Sequence, residues 1–251
     1  MTGTLVLLRH GNSEWNEQGL FTGWLDVPLA DSGREQARQA ATLLAGHGLP
    51  PAVVHTSVLV RAVDTAAEVL RALGVSVPVF RTWRLNERHY GALTGRVKRD
   101  VVREYGEAQF AEWRRAFKGT PPPLPDSSPH SPAGDPRYAS LGARLPRSES
   151  LADVQARLLP YWHDVLQPQL AGRTVLVVSH SNALRALVKH LEQIPDDDID
   201  ALNIPTGSPL VYVVNEQGHP VGPGRYLDPK AAEAGAAAVA NEGRETSPGS
   251  Q

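Results

Sequence analysis

Two histidines stand in matching contexts. One follows the run Leu7-Leu8-Arg9-His10-Gly11-Asn12, the other Val177-Val178-Ser179-His180-Ser181-Asn182. Each lies just past a strongly apolar run and is followed by a small residue and an amide. Imidazole is nucleophilic and neutral near physiological pH, so two rings facing one pocket suit nucleophilic and proton-transfer chemistry. A lone histidine is more often structural; the matched pair favours a site. Arg9 indicates the charge handled there. Phosphate is bound by guanidinium forks and by backbone N–H groups, which a small residue such as Gly11 leaves accessible. Arg61, Arg88, Lys98 and the pair Arg114-Arg115 fall in polar segments and extend the set of cations. Alone, Arg114-Arg115 reads as solvated surface.

These groups need a frame. Leu5-Val6-Leu7-Leu8 reads as a strand buried on both faces. Ser32-Gly33-Arg34-Glu35 has capping-box spacing and opens an Ala-rich helix to about Ala45. Ala52–His55 predicts a strand, Arg61–Leu73 a helix, Pro78–Arg81 a strand, and Arg99–Phe117 a helix broken near Gly106. A further helix runs from Ser150 to about Leu166. Thr174–Val178 is a strand, Leu184–Leu191 a helix, and Pro209–Val214 a final edge strand. Strands alternating with helices imply a mostly parallel sheet covered on both faces, with ligands beyond the carboxyl ends of the strands. Whatever follows Leu8 and Val178 therefore sits at the expected site. The Pro-, Ser- and Gly-rich stretch from about Lys118 to Arg147 is an insert of the length that is usually functional or disordered. The tail after Asp228 begins as a helix and ends as a mobile polar segment.

The chain has 251 residues, with 25 basic against 27 acidic side chains. That balance argues against a general nucleic-acid or membrane-surface role, while a local basic pocket remains compatible with it. With no cysteine, thiol nucleophiles, thiolate metal sites and disulfides are excluded. No metal-ligand spacing stands out among the other histidines, so no metal is assigned. The start of the sequence carries no signal-like segment, which makes the cytoplasm the expected compartment.

Leu8-Arg9-His10-Gly11 is the signature of the histidine phosphatase superfamily. Phe21-Thr22-Gly23-Trp24, Thr56-Ser57-Val58-Leu59-Val60-Arg61-Ala62 and Leu85-Asn86-Glu87-Arg88-His89-Tyr90-Gly91-Ala92-Leu93 narrow the likeness. So do Trp113-Arg114-Arg115 and Leu202-Asn203-Ile204-Pro205-Thr206-Gly207. With them the chain, from about Thr4 to Asn241, resembles the cofactor-dependent phosphoglycerate mutases. That resemblance implies a three-layer α/β/α fold, its sheet mostly parallel with one antiparallel edge strand. It also implies a catalytic domain over residues 1–228 with a lid-like insert at about 118–147, and a tail over 229–251. His10 would be the phosphorylated nucleophile and Glu87 the proton donor and acceptor. His180, Arg9 and Arg61 would surround the transferring phosphoryl group. Ser13, Asn16, Thr22, Gly23, Arg88 and Tyr90 would hold the rest of the glycerate phosphate. Lys98, Arg114, Arg115 and Asn182 would share that task, with Gly11, Asn12, His89 and Ser181 beside them.

The implied cofactor is 2,3-bisphosphoglycerate, a priming phosphate donor in glycolysis and gluconeogenesis, and the implied assembly is a homo-oligomer, dimer or tetramer. Attack by one nitrogen of His10 needs the other held by a hydrogen bond, with a backbone carbonyl as the expected partner. The insert and the tail are the candidate covers that keep water from the phosphohistidine. Several positions depart from the family pattern. Asn12 stands in place of glutamate, Ser181 of glycine, Ala183 of serine and Thr94 of glutamine. These departures bear on the balance between mutase and phosphatase. A histidine phosphatase acting on bisphosphoglycerate or another small phosphomonoester is the rival reading, and a catalytically silent binding module a third.

Overall fold

In the computed structural model, which describes residues 2–243, alternate residues of the first apolar run enter different cores. Leu5 and Leu7 of β1 (Gly3–Arg9) pack on one side of the sheet, Val6 and Leu8 on the other. β4 (Thr174–Ser179) repeats the pattern, with Val175 and Val177 on the first side and Leu176 and Val178 on the second. A strand covered on both faces has no solvated position left, so its sequence is apolar throughout.

One cover is α2 (Asp31–Gly46) and α3 (Val60–Leu73), which bring Ala37, Ala40, Ala41, Leu44, Ala62, Ala66 and Val69 to the sheet. Alanines at this seam let the two helices approach closely. The other cover is α5 (Leu151–Tyr161) and α7 (Ser181–Leu191), with Leu151, Val154, Leu158, Leu184 and Leu187. The remaining elements are α1 (Glu14–Glu17), β2 (Val53–Thr56), β3 (Val79–Arg81), α4 (Lys98–Arg115), α6 (Gln167–Gln169), β5 (Leu210–Val214), β6 (Arg225–Tyr226) and α8 (Pro229–Asn241). A π-helical turn over Trp162–Leu166 joins α5 to α6. No helix among the described residues is long and apolar enough to cross a membrane.

Strand order is β3-β2-β4-β1-β5-β6. β3, β2, β4 and β1 are parallel, β5 is antiparallel to β1, and β6 antiparallel to β5. The Pro209–Val214 segment expected at the edge is thus one strand in, with the two-residue β6 outside it. In β1 and β4 the register pairs Arg9 with Ser179, so His10 and His180 leave adjacent strand ends together. His10 N donates to Ser179 O at 2.9 Å and locks that exit.

Of the helix starts expected at Ser32 and Ser150, only the second is closed by a capping box. Ser150 caps α5 reciprocally with Asp153, as its spacing predicts. The Ser32–Glu35 box does not form. α2 starts at Asp31, with Ala30 at its N-cap, and Ser32 Oγ instead donates to Glu17 Oε1 at 2.5 Å. The cause is tertiary: Ala30 N donates to Asn12 O at 3.0 Å, and Gly33 lies so close to Asn12 that a Cβ there would stand 2.0 Å from its carbonyl oxygen. Docking on the His10 loop sets where the helix begins. In α4, Gly106 (φ 82°, ψ 161°) makes the expected break.

The insert packs Tyr138 and Leu141 against Trp24, and Asn86 Nδ2 donates to Tyr138 Oη at 3.0 Å. Leu124 N donates to Arg147 O at 2.8 Å and Ala92 N to Pro122 O at 2.8 Å. It buttresses the Leu85–Leu93 segment from behind.

Candidate active site

His10 is buried at the end of β1, with a polar cavity beside it. Its Nδ1 lies 2.6 Å from Gly11 O, and a carbonyl can only accept, so Nδ1 carries the proton and Nε2 the lone pair. The expected backbone carbonyl is therefore present. Arg61 Nε donates to His10 Nε2 at 3.3 Å, while its two terminal nitrogens donate to Leu25 O and Gly23 O at 2.8 Å each. A guanidinium pinned at three points is a fixed charge beside the nucleophile. Burial brings its pKa down to about 10, which leaves it charged at neutral pH. Arg9 donates through Nη1 to Ile204 O at 2.8 Å, and its buried Nε has no protein partner.

The His180 ring meets that of His10 edge-on at 4.9 Å. Ser57 Oγ accepts the Leu59 N–H at 3.1 Å, so its own proton is free to go to His180 Nε2, 2.8 Å away. With the hydroxyl proton directed to Nε2, the ring proton of His180 sits on Nδ1, which has no protein partner. Ser57→Ala should therefore free the tautomer and lower turnover about tenfold, the worth of one neutral hydrogen bond. Nitrogen-15 spectra of the imidazoles would read the tautomer directly; an unchanged single tautomer would contradict the assignment.

Glu87 sits across the cavity. Its Oε1 accepts from Arg88 N at 2.7 Å, Asn182 N at 3.2 Å and Asn182 Nδ2 at 3.0 Å. Its backbone carbonyl accepts from Trp24 Nε1 at 2.6 Å and Arg157 Nη2 at 2.9 Å. Buried Glu149 holds Arg157 in turn, at 2.7 Å. The residue is thus held at Oε1 and at its backbone carbonyl, in a segment without regular strand or α-helix.

Of the predicted residues, Arg9, His10, Asn16, Thr22, Gly23, Arg61, Glu87, Tyr90, Lys98, Arg114, Arg115, Ser181 and Asn182 line one cavity. His180 stands behind His10. Others have different duties. Gly11 N donates to Thr65 Oγ1 at 3.1 Å, so the expectation of an N–H left open for phosphate is corrected. A Cβ at Gly11 would stand 2.1 Å from Gly33 O, and that contact explains the glycine. Ser13 is fully buried and caps α1 in a box with Asn16. Asn12 N donates to Gln36 Oε1 at 2.8 Å, and Asn12 lies outside the lining. His89 Nδ1 accepts from Gly91 N at 3.1 Å behind the cavity. Arg88 stacks on Tyr90 at 4.9 Å and donates to Arg114 O at 3.1 Å. No residue of the 118–147 insert is among the lining, whereas Val239 and Glu242 of the tail are. The mobile end expected for that tail lies outside the described residues beyond Gly243.

Sequence reasoning missed Arg185, Glu242 and Ser57. Arg185 lies one helical turn after Asn182 and donates to its Oδ1 at 2.9 Å, a spacing that could have been noticed. Glu242 has no local signal at all. Of the family departures, Ala183 is in the core, Thr94 is buried beside Gly23, and only Ser181 faces the cavity.

The cavity is cationic, and its histidines are held neutral. Burial, then Arg61 and Arg9, keeps the His10 pKa well below 6.5; burial and Arg61 do the same to His180. Burial pushes His89 down to about 4. Below pH 6.5 the unfolded chain protonates these rings and the folded chain does not. Stability is therefore intact above that pH and lost as pH falls, at about 1.4 kcal/mol per pH unit for each ring. Glu242, lowered to about 2 from 4.5, acts with the same sign but only below 4.5. Urea unfolding between about pH 7 and pH 5 should show this decline; a flat profile would contradict neutral burial.

A parallel sheet with histidines in edge contact at two adjacent central strand ends, one of them lining a cationic cavity, is the arrangement of a phosphoryl-transferring histidine enzyme. The family description Histidine phosphatase superfamily (branch 1) matches residues 5–221, and the chain belongs to that superfamily. It is 59% identical over 243 residues to a 2,3-bisphosphoglycerate-dependent phosphoglycerate mutase of Clavibacter sepedonicus, covering 96% of this chain and 97% of that one. The like-named protein of Leifsonia xyli is 57% identical, with 96% and 97% covered. Among solved structures, a mycobacterial glucosyl-3-phosphoglycerate phosphatase superposes with TM-score 0.65 at 26% identity, over 89% of this chain and 96% of the other. A structure described as mycobacterial hydrolase 1 gives TM-score 0.68 at 26% identity, over 90% and 97%.

Proposed function

We propose that this chain is an isomerase that interconverts 3-phosphoglycerate and 2-phosphoglycerate through a phosphohistidine at His10. The observation that carries the reading is His10 Nε2, with its lone pair toward Arg61 and its ring against His180, sharing a cavity with Glu87. The relatives named as 2,3-bisphosphoglycerate-dependent mutases support the substrate class. The residues fit a polyanionic cofactor: Arg9 Nε, Thr22 Oγ1 and His180 Nδ1 are buried polar atoms without protein partners near the nucleophile. Arg9, Arg61, Lys98, Arg114 and Arg115 would hold the bisphosphate, which supplies the phosphoryl group that primes the enzyme.

The chain's own residues do the rest. Phosphoryl transfer passes through a loose transition state with charge spread over the equatorial oxygens, so fixed positive charge does most of the catalysis. Arg61 and Arg9 provide that field, with the His180 ring packed edge-on against His10. The Gly11 carbonyl keeps the proton on Nδ1 of His10 and stabilises the cation that develops when Nε2 forms its bond to phosphorus. Glu87 Oε1 is taken by three donors, which leaves Oε2 to accept the proton of the glycerate hydroxyl and later return it. Ser181, where a glycine is usual in the family, adds a hydroxyl that can donate to the phosphate.

A second reading, hydrolysis with water in place of the alcohol, is favoured by the fold shared with the glucosyl-3-phosphoglycerate phosphatase. One assay separates them. Purified protein with 3-phosphoglycerate and a trace of 2,3-bisphosphoglycerate should form 2-phosphoglycerate faster than inorganic phosphate, as followed by phosphorus NMR. Phosphate release without isomerisation would replace the first reading with the second. We read residues 1–228 as the catalytic unit and 229–251 as a tail, of which the described part brings Val239 and Glu242 to the cavity. We also place the enzyme in the cytoplasm as a homo-oligomer in glycolysis and gluconeogenesis; sedimentation velocity tests the oligomer.

A further inference from the structure

α8 ends on the cavity's cations. Val239 O accepts from Arg114 Nη2 at 3.1 Å and from Arg115 Nη2 at 3.0 Å. Carbonyls in the last turn of a helix lack intrahelical partners and carry the negative end of its dipole, so guanidinium groups are their natural partners. Just past the helix, Glu242 places its carboxylate on Lys98 Nζ at 2.5 Å and on Arg114 Nη2. Burial works to raise its pKa, but Lys98, Arg114 and Arg9 outweigh that and bring it to about 2, so it is ionised at any physiological pH.

Lys98, Arg114 and Arg115 are three of the cations expected to hold a glycerate phosphate, and the chain's own C-terminal segment engages all three. Little room is left beside them. The cavity's free volume is about 50 Å³, against roughly 10–15 Å³ for one water on the same measure. On that measure a few waters fit.

We propose that Glu242 is an internal competitor for the substrate, its carboxylate holding the anion position at the outer end of the cavity until a ligand anion displaces it. Tethering at the end of α8 gives that carboxylate a high effective concentration, so a free anion binds only by outcompeting it. A ligand with anionic groups at both ends replaces the ion pairs it breaks. A phosphomonoester with one anion, held at Arg9 and Arg61, leaves Glu242 in place. The residue thereby selects for two-ended anions. The choice of phosphoglycerate as the displacing molecule rests on the isomerase reading; the competition does not require turnover.

The test is calorimetric titration of the full chain with 3-phosphoglycerate, comparing wild type with Glu242→Gln, which keeps shape and removes charge. Expected is affinity about tenfold tighter in the variant, the scale of one close charge pair. Glu242→Ala should move in the same direction and guards against an effect peculiar to glutamine. Circular dichroism confirms that each variant is folded. Equal or weaker binding in both folded variants would overturn the competitor. Tighter binding with no 2-phosphoglycerate formed by either form would keep the competitor and remove the isomerase reading. Turnover with unchanged affinity would do the reverse, and absence of binding in all forms would overturn both.

Discussion

His10→Ala should abolish conversion of 3-phosphoglycerate to 2-phosphoglycerate, a loss on the order of 10⁵-fold or more in kcat. Nothing nearby can take over as nucleophile. His180 has its Nε2 tied to the Ser57 hydroxyl, and its ring lies outside the cavity lining. The sequence holds no cysteine. Water could reach the vacated space, but it would hydrolyse and not isomerise. The substitution removes a ring 3% exposed at the end of a rigid central strand. It also removes a neutral histidine that opposes folding at low pH. The variant should fold, with its stability falling by about 1.4 kcal/mol less per pH unit below pH 6.5. Phosphorus NMR with 2,3-bisphosphoglycerate should show a phosphohistidine signal in wild type and none in the variant. A signal persisting at full intensity would place the covalent chemistry elsewhere.

Glu87→Gln should lower kcat by about 10²–10⁴, the range for loss of a general acid–base group. The substitution is nearly isosteric. Its amide oxygen can still accept from Arg88 N, Asn182 N and Asn182 Nδ2, so the clamp on the segment survives. What is lost is the capacity to take a proton from the hydroxyl and give it back. KM should change far less than kcat, because the cations that bind the anionic ends are untouched. Priming of His10 should still occur, only more slowly. An unchanged kcat would show that Glu87 only positions Asn182 and Arg88.

Much of this architecture was legible from local pattern. The apolar runs of β1 and β4 announced strands buried on both faces because a fully covered strand admits no polar position. Ser150 with Asp153 marked a helix start because both halves of that box lie within four residues. The reading failed where a distant contact won. Ser32 and Glu35 have equally good spacing, but Asn12 and Gly33 pull the helix entry back to Asp31. Gly11 was read as an opening for phosphate and serves instead to let two backbones touch. The π turn at Trp162–Leu166 follows Pro160, yet no local pattern had singled it out.

The chemistry itself belongs to the sequence: which groups can attack, which can carry a proton, and which cations can neutralise phosphate are properties of side chains and near neighbours. Tertiary structure decided where they meet and what they meet first. Only the pairing of Arg9 with Ser179 brings the two imidazoles to 4.9 Å. Only the folded chain sets Glu242 against Lys98, 144 positions away, because an ion pair depends on separation in space and leaves no periodic trace along the chain.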